Sequence, residues 1–232
     1  MTTTGRERLE LAALLAIGIA PFYLNGFYNS PLASSHRELF WVVEVGTWIL
    51  MPLVLLLAGR RRGLYTAEDL GLMTAVRGHG RGWAVWPLMA IVPLAMWKLD
   101  VVVAIWGHRG LPPGWSLPPF HYADVVPPPG PETGWWRLLA LSHLCLTAGF
   151  VEELYYRAAF DRLFPRGWLA GFAYILVSSL VFACAHWEGG LPNLAEAFAV
   201  GVFAAAVFRA TRNVWPLIVG HVVTDWYWIS GA

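Results

Sequence analysis

Two adjacent carboxylates, Glu152 and Glu153, stand in an apolar run, and Arg157 follows Glu153 by four residues in Phe150-Val-Glu-Glu-Leu-Tyr-Tyr-Arg157. Farther along, His186 follows Phe182 by four, and Asp225 follows His221 by four. An i, i+4 spacing puts both partners on one helix face. Glu153 is therefore expected to pair with Arg157, and Asp225 to orient the His221 ring. Glu152 points about 100° away from Glu153, free to face something else. Carboxylates and imidazoles drawn from three helices suit the activation of water. A buried carboxylate can act as general base, and imidazoles can stabilise an oxyanion or hold a metal. Two histidines with a carboxylate also form a zinc ligand set, although the local H-E-x-x-H motif is absent. The same groups could serve only as a buried polar network holding helices together.

The elements that must carry these residues are membrane helices. Of the 232 residues, 57% are hydrophobic and 13% charged, with a mean hydropathy of +0.53. A soluble domain carries about 25% charged residues, so roughly half the usual charge is missing. The 14 Trp suit a protein with many interfacial anchors. A net charge of +1 gives no sign of a nucleic-acid partner. Cys145 and Cys184 both lie in apolar stretches and read as small buried residues, not as a disulfide framework.

A span needs about 20 mostly apolar residues. Seven segments come near this: Leu9–Leu24, Leu39–Ala58, Trp83–Trp106, Trp135–Phe160, Trp168–His186, Leu194–Phe208 and Val214–Ile229. The expected fold is all-α, one polytopic helix bundle over residues 1–232 with about seven spans, six to eight being the range. The first apolar run has no small-residue cleavage site and reads as a retained span. With the N-terminus inside, the inner side receives Arg6, Arg8, Arg60, Arg61, Arg62, Arg77, Arg81, Arg157, Arg162, Arg166, Arg209 and Arg212, which is 12 of the 16 basic residues. The outer side receives Arg37, Arg109 and Arg137. This asymmetry predicts an N-in, C-out topology. A Pro/Gly-rich stretch, residues 107–134, reads as an outside loop.

Ionisable residues inside spans cost from about 2.5 kcal/mol upward, so each asks for a reason. Glu10 lies near an end and can snorkel. Lys98 and Asp100 are expected to satisfy one another, directly or through neighbours, and His143 to be a hydrogen-bonded packing residue. Glu44 and Glu196 are held as supporting partners of the site.

Taken together, Glu152-Glu153-Leu-Tyr-Tyr-Arg157, Phe182-Ala-Cys-Ala-His186 and His221-Val-Val-Thr-Asp225 resemble the EExxxR, FxxxH and HxxxN/D motifs of the CPBP intramembrane proteases. This is the CAAX-protease and bacteriocin-processing family, which includes the Rce1-type prenyl-protein endopeptidases. Trp215-Pro216 and Gly201 match as well, and the resemblance covers residues 150–226, the expected catalytic-motif core. It implies that Glu152 activates the water with His186 beside it. His221 and Asp225 would stabilise the oxyanion or help hold a metal, and Glu153 and Arg157 would shape and charge-balance the site. Zinc held by Glu152, His186, His221 and Asp225 is the implied cofactor, alongside a metal-independent glutamate mechanism. Two departures stand out: Ala158 where glycine is common, and Asp225 where Rce1-type members carry Asn.

The leading expectation is an intramembrane endopeptidase acting on membrane-anchored protein or peptide substrates in the lipid bilayer, prenylated CAAX tails among them. Compact loops point to a prokaryotic cytoplasmic (inner) membrane. The alternatives are a non-catalytic scaffold or immunity protein of the same fold, a small proton-coupled transporter, and bis-His haem ligation. The transporter lacks the expected internal repeat.

Overall fold

The computed structural model describes residues 5–73, 85–111 and 124–231. The described residues hold helices and turns and no strand. Each of the seven apolar segments contains one helix: α1 (Gly5–Ser35), α2 (Arg37–Arg61), α3 (Val85–Gly110), α4 (Gly134–Ala159), α5 (Trp168–Cys184), α6 (Gly190–Thr211) and α7 (Trp215–Ser230). Five of the seven are long and apolar enough to cross a membrane: α1, α2, α3, α4 and α6. Helices α5 and α7, with 17 and 16 residues, rise only about 24–26 Å against a hydrocarbon core of roughly 30 Å. Arg77, Arg81 and residues 112–123 of the expected outside loop lie outside the described residues.

Two helices change winding on the way. In α2 a π turn, Gly46–Leu50, joins the α-helical parts Arg37–Val45 and Met51–Arg61. It ends two residues before Pro52, which has no N–H to continue the hydrogen-bond ladder. In α4 a π turn covers Glu153–Ala159, so the EExxxR motif straddles an α-to-π junction.

Helix α7 packs between α3 and α4, and α6 packs against α3 and α5. Helix α1 lies against α2 and the π turn of α4. Two glycines set close approaches. A Cβ at Gly149 would come within 2.8 Å of Val222, so only glycine lets α4 approach α7 this closely beside the motif. A Cβ at Gly201 would meet the Ser179 backbone at 3.1 Å, which keeps α6 tight on α5. The apolar core gathers around Phe22, Trp48, Tyr156, Phe182, Phe208 and Leu217. Trp86, Trp135 and Trp168, at the starts of α3, α4 and α5, are each more than three-quarters exposed, the placement of interfacial anchors.

Helix α1 is longer than the sequence suggested because Asn25 and Asn29 lower the hydropathy of its second half without stopping the helix. Several expectations need correcting. Arg157, counted among the inner-loop charges, lies within α4 and is fully buried. Cys184 is exposed at the end of α5, whereas Cys145 is buried as expected. Lys98 and Asp100 do not pair directly; each is engaged by a neighbour. Residues two apart leave a helix in different directions, and Asp100 instead accepts a 2.6 Å hydrogen bond from Trp228 Nε1 while Lys98 sits 4.6 Å over the Trp97 ring. Besides Arg6 with Glu10 and Arg157 with Glu153, three of the expected inner arginines are engaged in ion pairs: Arg209 and Arg212 both clasp Asp161, and Arg162 meets Asp69 at 2.7 Å.

Candidate active site

The α-to-π junction puts Glu152 and Glu153 against the same partner. Glu153 Oε1 lies 2.9 Å from His221 Nδ1, and Glu152 Oε2 lies 3.6 Å from His221 Nε2. The two carboxylates thus bracket one imidazole, although an ideal α-helix would turn them about 100° apart. An ionised carboxylate can only accept, so Nδ1–H donates to Glu153, and a second proton on Nε2 would let the ring donate toward Glu152 and Asp225 as well. Asp225 Oδ2 also lies 3.7 Å from Nε2, the i, i+4 relation expected from the sequence.

Behind Glu153 stands Arg157, with Nε 3.3 Å from Glu153 Oε2 and both side chains fully buried. Its guanidinium also lies 4.2 Å over the Phe182 ring, a cation–π contact that strengthens away from water. Phe182 is the hub of the three motifs. Its ring centroid lies 4.6 Å from that of His186, 6.2 Å from that of His221 and 5.2 Å from that of Tyr156. The sequence marked Phe182 only as a motif residue; its role as a common packing surface needed the fold.

His186 is not within the fifth helix, as the expected segment Trp168–His186 had it. Helix α5 ends at Cys184, and His186 occupies the turn before the 3-10 segment Trp187–Gly189. Its Nδ1–H donates to Phe182 O at 3.0 Å, and Asn193 Nδ2 donates to His186 O at 3.0 Å. The first bond leaves His186 Nε2 as the ring's acceptor. Long side chains bridge the difference in depth between α4 and α5. The Arg157 carbonyl accepts from Tyr174 OH, while its guanidinium reaches Phe182, about two helical turns farther along α5.

A polar cavity of about 120 Å³ brings the site together. Glu152, His186, His221 and Asp225 all line it. Glu153 and Arg157 do not; they act from behind His221. Asn25, Asn29, Glu44 and Glu188 share the wall, together with Thr147, whose hydroxyl donates to His143 O. Glu44 was anticipated as a supporting partner, and its Oε2 lies 3.7 Å from His143 Nε2. Glu196 pairs with Asp100 and is not among the lining residues. Asn25, Asn29 and Glu188 were missed. The asparagines carry no charge, and Glu188 lies in a turn, so a search for ionisable groups within spans passes over all three.

The zinc expectation requires Glu152, His186, His221 and Asp225 to converge on one point. Among the described residues, no group of three His, Cys, Asp or Glu side chains is arranged to hold a metal ion. His221 Nδ1 is committed to Glu153, so only Nε2 of that ring could meet an ion. As placed, the four side chains are not gathered around one point.

Residues 134–227 match a family model described as type II CAAX prenyl endopeptidase Rce1-like. The matched segment runs from the start of α4 into α7 and contains all three motifs. Asn25, Asn29 and Glu44 lie outside it. No match was found among curated proteins or among solved structures.

Proposed function

We propose, from the premise that residues 134–227 form an Rce1-like domain, that this chain is an intramembrane endopeptidase acting on membrane-anchored protein or peptide substrates. The observation that carries the reading is the single cavity lined by Glu152, His186, His221 and Asp225, three motifs meeting around space enough for several waters.

In this reading Glu152 takes a proton from a water in the cavity as that water attacks the scissile carbonyl carbon. The carbonyl oxygen gains negative charge, and His221, carrying a proton on Nε2, stabilises it from the same wall, while the unprotonated His186 Nε2 can accept from the attacking water. Glu152 then returns the proton to the leaving amine, which completes hydrolysis with atoms and charge balanced. Glu153, backed by Arg157, fixes the orientation of His221 by accepting from Nδ1–H. Asp225 orients the ring from its far nitrogen. The arginine asymmetry supports an N-in, C-out placement and the compact loops a prokaryotic cytoplasmic membrane, and prenylated CAAX tails are one substrate class the family description supports.

The test compares membrane-protein termini by mass spectrometry in cells carrying the wild-type chain or Glu152→Gln at equal abundance. Defined cleaved ends that vanish in the variant, with uncut precursors accumulating, are the expected result. Indistinguishable profiles would remove catalysis at Glu152 and leave the scaffold reading of the same fold.

A further inference from the structure

In the second half of α1, Asn25 and Asn29 stand one turn apart in the mostly apolar and aromatic run Phe22-Tyr-Leu-Asn25-Gly-Phe-Tyr-Asn29. Both line the cavity that holds Glu152, His186 and His221. The Oδ1 atom of each is shielded from solvent and has no hydrogen-bond partner among the described residues. An unpaired buried amide oxygen is destabilising, and it asks for an occupant that supplies a donor.

The wall they form is fixed relative to the catalytic turn. Trp187 Nε1 donates to Tyr23 O at 3.0 Å, Tyr23 OH donates to Val181 O at 2.6 Å, and the Phe27 and Trp187 ring centroids lie 4.9 Å apart. These ties bind α1 to the segment that carries His186, so the asparagines keep a set position opposite it.

We propose that Asn25 and Asn29 are positioning residues that hydrogen-bond the main chain of an extended peptide segment beside the scissile bond; this rests on the endopeptidase reading above. The spacing agrees. Residues four apart on a helix have Cβ atoms about 5–6 Å apart, and equivalent groups along one edge of an extended chain recur every two residues, about 6.6 Å. A side-chain amide accepts through Oδ1 and donates through Nδ2, so each asparagine can meet a peptide N–H and C=O whatever the side chain between them. A lipid chain has no donor to offer these oxygens. Aspartate in either place would accept equally well but would add charge to a cavity already lined by Glu44, Glu152, Glu188 and Asp225. The amide avoids that repulsion.

The experiment uses the full chain in detergent micelles and a ten-residue peptide spanning a cleaved bond found by the termini comparison. Wild type, Asn25→Ala/Asn29→Ala and Glu152→Gln are compared, with a thermal unfolding midpoint for each. The double variant is expected to raise KM about 10-fold, the loss of two ordinary hydrogen bonds, with kcat little changed and the unfolding midpoint not lowered. N-methylation of the peptide's main-chain amides, one at a time, should weaken turnover by wild type at one or two positions and leave the double variant indifferent there. An unchanged KM, or the same N-methylation profile for both proteins, overturns the assignment. If the double variant fails to fold, the N-methyl series on wild type decides: no sensitive position overturns the proposal. The two readings separate cleanly. If wild type leaves the peptide as uncut as Glu152→Gln does, the endopeptidase reading falls and this one with it; if Glu152→Gln cleaves at the wild-type rate, only the role of Glu152 falls. If Glu152→Gln is inert while the alanine variant keeps the wild-type KM, only the asparagine assignment falls.

Discussion

Glu153 reaches across from α4 to α7 and accepts a 2.9 Å hydrogen bond from His221 Nδ1. The same carboxylate faces Arg157 through its other oxygen. One buried acid therefore orients an imidazole and balances a guanidinium at once.

That double duty predicts an asymmetry. Glu153→Gln should unfold at lower temperature, with a loss of about 3–5 kcal/mol, because it leaves the fully buried Arg157 without a counter-charge. Glu153→Gln combined with Arg157→Met should recover part of that stability in a detergent unfolding assay while remaining inactive. Equal destabilisation by the single and double variants would show that Glu153 does not serve as the charge partner.

Asp225 offers a graded test. Asp225→Asn keeps an oxygen facing His221 Nε2, the arrangement expected of Rce1-type relatives, and should hold cleavage within about tenfold of wild type. Asp225→Ala removes that support, and His221→Ala removes the ring itself, with an expected loss of about 10²- to 10³-fold in kcat. A kcat that survives His221→Ala would assign the oxyanion to another group.

Gly149 carries no chemistry, yet the site depends on it. Gly149→Val places atoms where Val222 Cγ2 already stands, 2.8 Å from the first added carbon. Overpacking of this kind costs about 1–3 kcal/mol. The larger expected effect is on kcat, since α4 must move away from α7 and take Glu152 and Glu153 from His221. A Gly149→Val protein with wild-type kcat would show that the close approach is dispensable.

Metal dependence is decided directly. Glutamate-activated water needs no ion, so cleavage should persist after dialysis against a strong chelator, with zinc below stoichiometric by elemental analysis. A rate lost on chelation and restored by zinc would mean that Glu152, His186, His221 and Asp225 close around an ion in the working enzyme.

Much of the site was legible because membrane burial makes charge conspicuous. In a chain with 13% charged residues, Glu152, Glu153, Arg157, His186, His221 and Asp225 stand out against their apolar neighbours. Their i, i+4 spacings correctly anticipated the Glu153–Arg157 and His221–Asp225 relations. Lys98 and Asp100 show the limit of the same approach, since nearness in sequence says little when the helix turns the two side chains apart. Asn25 and Asn29 were overlooked because uncharged amides barely disturb the signals that mark a site. They appeared in the sequence only as a weakening of hydropathy that made α1 look short.

The sequence by itself determined the all-helical bundle, the seven segments and the residue types of the candidate site, because hydrophobic length and helical period are local properties. Only the tertiary structure decided what meets what. The π turn at Glu153–Ala159 lets Glu152 and Glu153 bracket one imidazole. The end of α5 at Cys184 releases His186 into a turn. The packing of α1 brings two asparagines from outside the family-matched segment into the cavity. Each depends on contacts between residues far apart in the chain, which no local pattern encodes.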